Sequence, residues 1–140
     1  MRPIFKYKDN PIRERGASAV EFAILLPVLV ILIFGIVEFA IAFNNYITIT
    51  HAAREGVRKA AVDLYNPELK EYIKEKAIPL QLTDEDIVIE VDTVEDPPLI
   101  GDPVSVEITY NFELSIPLVG SWDIPLKNKA IMRLENYDQP

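Results

Sequence analysis

Apolar and polar positions divide this chain into three stretches. From Phe22 to Val37, 16 residues carry no charged or strongly polar side chain. At the helical rise of ~1.5 Å per residue they span about 24 Å. Continuing through Glu38 to Phe43 gives 22 residues and about 33 Å, close to a hydrocarbon thickness of ~30 Å. Past Asn44, Asn45 and Tyr46, which suit an interface, the pattern becomes one-sided. Apolar or small residues recur at 46, 49, 53, 57, 60 and 64, the i, i+3, i+4 spacing of one helix face. Arg54, Glu55, Arg58 and Lys59 lie mostly off it. The spacing predicts one continuous helix from Ala17 to Leu64, roughly 70 Å long. Its first half is apolar all round and its second half is amphipathic. A small domain alone does not satisfy such a helix; the first half needs lipid or other copies of itself.

Asn66-Pro67 stops the helix, and Glu68 to Ile78 reads as a short second helix ending before Pro79. The period then changes to two. Ile87 to Asp92 alternates aliphatics with acids, and Val104 to Leu114 alternates over eleven residues. Asp96-Pro97-Pro98 and Gly101-Asp102-Pro103 mark the connection between them. Pro117 to Pro125 reads as a loop holding Trp122, the only tryptophan, and Leu126 to Glu135 as a last strand. The expected architecture is α+β: a long amino-terminal transmembrane and amphipathic helix, a short second helix, and a three- or four-stranded antiparallel sheet. The helix at 46–64 is expected to cover one sheet face. The expected divisions are a basic leader at 1–16, the long helix at 17–64, spanning a membrane to about 43, and an extracytoplasmic domain at 65–140 packed on the helix end.

Charge adds a direction. Residues 1–16 hold five basic and two acidic side chains, a net of +3, and the remaining nine basic and twenty acidic groups give −11. The leader carries no helical period and two prolines, and reads as a flexible tail. By the positive-inside rule it faces the cytoplasm, with the body of this single-pass chain on the far side of the cell membrane. An acidic body speaks against nucleic acid, whose affinity comes from neutralised phosphates. Without cysteine there is no disulfide or thiolate metal site, and the lone His51 leaves little for a zinc site or a catalytic triad. Asp84, Glu85, Asp86, Glu90, Asp92, Glu95, Asp96 and Asp102 raise the question of calcium. They lack EF-hand spacing, and alternating acids on strands read as a solvated face. No cofactor or metal is expected, and nothing gathers carboxylates into a catalytic cleft, so an enzyme is not expected.

Three readings of the apolar run compete. It is a secretory signal with Ala40-Ile41-Ala42 as its cleavage site, a plain membrane anchor, or an anchor that is also a processed assembly helix. Gly16-Ala17-Ser18-Ala19-Val20-Glu21-Phe22 bears on the third. Gly16 stands where the basic tail meets the helix, and glycine gives a protease access to an extended backbone. A cut after Gly16 makes Ala17 the new amino terminus, with Glu21 at i+4 on the same helix face. An unpaired charge in the membrane costs at least ~2.5–3.5 kcal/mol. The new ammonium of a neighbouring subunit would offset that cost and set the axial register between helices.

This glycine, the carboxylate five residues on, the aromatic Phe22 and the long apolar helix resemble the cleavage region of type IV pilin-like proteins of the tight-adherence (Tad/Flp) class. A-A-R-E-G-V-R-K-A-A-V at 52–62 is similar to the stretch that ends the long helix in TadE-like proteins, and A-I-M-R-L-E at 130–135 to their closing strand. The likeness covers about 60 residues well and the sheet loosely. It implies processing by a prepilin peptidase after Gly16. It also implies partnership with other pilin or pseudopilin subunits through the helix, with an inner-membrane assembly platform, and with the lipid bilayer. The implied outcome is a surface pilus used in adhesion. Only Gly16, Ala17 and Glu21 carry over as functional positions. Phe22 stands where the major Flp pilins commonly have tyrosine, and the chain is much longer than theirs, so the resemblance implies a minor pilin or pseudopilin. The alternative is an anchored or secreted binding module with no polymer role.

Three other positions complete the set. Glu38, about 25 Å beyond Glu21 along the helix, reaches headgroups or water, or pairs with a neighbour's Arg54 or Lys59. Pro27 frees the carbonyl of Ala23; it kinks or melts the helix, or is a tolerated membrane proline. Gly35 stands outside any GxxxG pattern.

Overall fold

The computed structural model describes residues 11–95 and 97–135; the side chains described begin at Gly16, so most of the leader and Asp96 lie outside them. Two helices precede three strands: α1 (Pro11–Val62), α2 (Leu69–Lys76), β1 (Ile87–Val91), β2 (Pro103–Ile116) and β3 (Gly120–Arg133). The α+β architecture is as expected, with three strands among the described residues.

The long helix is 52 residues, about 78 Å at ~1.5 Å per residue. It opens at Pro11, six residues before the expected Ala17. Proline suits a first helical position because its missing N–H would go unpaired there. The end of the leader is thus helical rather than extended. The helix runs unbroken through Pro27, so that proline does not melt it. Asn66 ends α1 and starts α2: its Nδ2 donates to Asp63 at 2.7 Å and its Oδ1 accepts from the Glu68 N–H at 2.9 Å.

The sheet is an antiparallel meander in the order β1-β2-β3. β1 pairs only with residues 104–108 of β2, from Ile87↔Ile108 to Val91↔Val104. β3 pairs with the whole of β2, from Pro103↔Arg133 to Ile116↔Gly120. Beyond Ile108, therefore, β2 and β3 continue as a two-stranded ribbon. This corrects the reading of 117–125 as a loop: only Pro117, Leu118 and Val119 turn, and Trp122 is a strand residue opposite Leu114.

One sheet face, with Ile87, Val104, Val106 and Ile108 buried, packs on the stripe Ile49, Ala52, Ala53, Val57, Ala60 and Ala61 of α1. Small residues on the helix let its backbone approach closely. Gly56 is the closest point: a Cβ there would lie 2.6 and 2.8 Å from Cγ1 and Cδ1 of Ile73 on α2 and 3.5 Å from Val106. α2 is held at its other side by Lys74, which pairs with Asp84 at 2.7 Å, and by Lys70, which donates to the Asp84 carbonyl at 2.8 Å. At the base of the sheet, the Glu135 N–H donates to the Ala61 carbonyl at 2.8 Å. This bond ties the end of β3 to the end of α1.

Candidate assembly site on the long helix

The residues expected to serve processing and assembly lie on α1, and the domain touches only part of it. The first buried helix residue is Asn45, followed by Ile49. In the most apolar 18-residue window of α1, mean hydropathy is 2.9 and no residue is buried. A core helix of equal hydrophobicity would be covered by its own domain. This one shows Val20, Phe22, Ile24, Leu25 and Leu29 more than half exposed. Water is a poor solvent for such a surface: each large aliphatic left exposed forgoes about 1.5–3 kcal/mol of burial. Length and composition let α1 span a membrane.

Gly16 and Ala17 are exposed residues within α1. Open space surrounds Gly16, with nothing within 4 Å of a Cβ built on it. A protease has steric access, but it meets a helical backbone. Glycine is the residue that weakens that helix, by about 1 kcal/mol relative to alanine. Glu21 is exposed one turn further on, where the i+4 spacing places it over Ala17. Phe22 is 61% exposed and, with Leu25, Leu26, Leu29 and Leu32, lines a shallow apolar hollow of about 540 Å³ beside Pro27.

Glu38 is half-buried. It stands seven residues before Asn45 and eleven before Ile49, so it lies on the face that the sheet covers higher up. Arg54 lies 16 residues on, about 24 Å along the axis, so a pair with Arg54 forms only between chains. Phe39 and Phe43, one turn apart, stack with centroids 6.4 Å apart where the apolar run ends. Gly35 has nothing within 4 Å of a built Cβ and makes no close contact inside the chain.

The acidic loops use their carboxylates locally. Asp86 accepts from the Thr83 N–H at 2.7 Å and its hydroxyl at 2.8 Å. Asp102 accepts from the Leu99 N–H at 2.8 Å. That bond first, and the Thr93 side chain second, hold its carboxyl below the usual range. Lys74 does the same for Asp84. Among the described residues no three of His, Cys, Asp and Glu gather as a metal site. Sequence reasoning placed Asn45 at an interface, where the structure buries it, and did not single out Gly56. Polar neighbours hid both, although each continues the i, i+3, i+4 stripe.

The fold is thus that of a small α+β domain carried on the end of a helix whose exposed half is suited to a bilayer. Residues 16–58 match the family model described as TadE-like protein. The match begins at Gly16, takes in the whole apolar run and ends inside the stripe that packs on the sheet; it covers 43 of the 140 residues. Over that stretch the chain is similar to components of Tad pilus systems, a family of pilus proteins rather than enzymes. No curated protein and no solved structure matches the chain.

Proposed function

We propose that the protein is a minor pilin or pseudopilin of a Tad/Flp-type surface pilus, with its amino terminus in the cytoplasm and its α+β domain outside. A prepilin peptidase cuts after Gly16. Ala17 then carries a new ammonium group, and Glu21 of one subunit pairs with Ala17 of the next. The apolar half of α1 exchanges lipid for neighbouring helices, delivered through an inner-membrane platform, and the assembled pilus supports adhesion. One observation carries this reading: the TadE-like match takes in the whole apolar segment of α1 that the protein's own domain leaves uncovered. A helical segment that contributes nothing to its own core is retained for lipid or for other helices. The proposed role is structural, with no catalytic group.

Mass spectrometry of the mature protein from cells carrying the pilus machinery tests the cut. A chain starting at Ala17 supports the reading. A start at Phe43 means a signal-peptidase cut after Ala42 and a secreted protein. An intact Met1 means an anchor with no processing, and overturns the pairing mechanism.

A further inference from the structure

The β2–β3 ribbon extends past β1 and ends in a tip that the domain does not need. Its direction follows from two contacts. The Glu135 N–H to Ala61 carbonyl bond sets the base of β3 at the carboxyl end of α1. Five residues back along the helix, Gly56 faces Val106, three residues into β2. Rising residue numbers in β2 therefore run down α1, toward its apolar half. From Val106 to Ile116 the strand covers about 33 Å, and from Gly56 back to Phe43 the helix covers about 20 Å. A strand held within about 50° of the helix axis would bring the tip to the level of Phe43.

The chemistry of the tip suits that level. Side chains alternate across a ribbon. Phe112, Leu114, Ile116, Trp122 and Ile124 share the face that, nearer the base, packs on α1; Glu113, Ser115, Ser121 and Asp123 share the other. The apolar face continues past the core: Leu118 is 81% exposed, Val119 51% and Trp122 48%. Leu118 has a φ of 69°, the left-handed region that costs a leucine more than a glycine or asparagine. Leu118 is thus exposed at a strained position, and strain of that kind clusters at functional sites. Tryptophan, with an apolar ring and one N–H donor, favours the headgroup layer.

We propose that the β2–β3 hairpin rests on the same membrane that α1 spans, with Leu118, Val119 and Trp122 entering the headgroup layer. This rests on the spanning reading of α1. It gives the domain a second attachment, which fixes its tilt and spin over the bilayer; a single helix leaves both free. Extraction of the subunit from the membrane would require this contact to break.

Trp122 is the only tryptophan, so intrinsic fluorescence reports the tip alone. The full chain is reconstituted into phosphatidylcholine vesicles, with plain acyl chains or chains brominated near the headgroup. The expected result is a fall in Trp122 emission of about half or more in brominated lipid, as for a ring seated ~5–10 Å into the interface. Leu118→Asp combined with Val119→Asp should restore most of it. Carbonate extraction of the same vesicles separates the two ideas. A chain that resists carbonate but shows equal emission in both lipids overturns the hairpin contact and leaves the anchor standing. A blue-shifted emission without bromine quenching means a second copy covers the tip, and overturns it equally. A chain that carbonate removes overturns the spanning reading and the contact with it.

Discussion

At the scale of single residues, two carboxylates illustrate two kinds of work. Glu21 does nothing visible inside the chain: it is exposed, and among the described residues it makes no ion pair. In the proposed assembly its partner is another subunit's Ala17. Glu21→Ala should leave processing intact and lower incorporation roughly a hundredfold, from an uncompensated charge worth about 2.5–3.5 kcal/mol. The yield of surface filaments set against the amount of mature chain measures this, and normal filaments would sink the pairing. Asp102 works within the fold. The Leu99 N–H, then Thr93, lower its pKa, so its contribution is present above the unfolded value near 3.8 and is lost as pH falls through the lower folded value. Thermal midpoints measured down from pH 5 should fall less steeply for Asp102→Asn than for the wild-type chain. Equal slopes would remove Asp102 from the account. Gly16 and Glu21 were legible because a basic tail and an apolar run frame them. Asn45 and Gly56 were not, because Asn44 beside the one and Arg54, Glu55 and Arg58 around the other make the local sequence look solvated.

At the scale of elements, Gly56 is where α1 and α2 meet. A methyl group there gains about 1 kcal/mol of helix propensity but crowds Ile73, and overpacking costs about 1–3 kcal/mol. Gly56→Ala should therefore lose about 1 kcal/mol net in the wild-type background. Ile73→Ala alone costs about 2–5 kcal/mol. Added to it, Gly56→Ala should become neutral or stabilising, because the atoms at 2.6 and 2.8 Å are gone. A double-mutant cycle by urea unfolding reads the coupling, and additive losses would show that α2 simply shifts aside. Periodicity revealed the second half of α1 and the bodies of β1 and β2, because each has one face against a core. It failed for residues 120–125, which are exposed on both faces and so write no alternation into the sequence. Pro125 added to the misreading. β3 is an edge strand, where a missing N–H is tolerated. The early start of α1 at Pro11 is not legible either, because the leader carries no helical period.

At the scale of the whole molecule, burial divides α1 more sharply than sequence does. Every residue in the core cluster lies between Ile49 and Leu134, and burial on the helix begins at Asn45. The segment before Asn44 thus contributes almost nothing to folding of the domain. Residues 44–62 form a helix that packing on β2 and β3 holds in place, since an isolated helix of that length is marginal in water. A chain of residues 44–140 should therefore fold as a soluble monomer with the same sheet. Its thermal midpoint should lie within about 5 °C of the full chain's in mild detergent, a shift of about 1 kcal/mol for a domain of this size. Circular dichroism and sedimentation measure the two properties. If the shortened chain is unfolded, the apolar half of α1 supports its own domain and the division of labour proposed here fails. If it is folded and monomeric while the full chain associates without detergent, association belongs to the apolar half alone. That half holds Gly16, Ala17, Glu21 and Phe22, the residues of the proposed assembly mechanism.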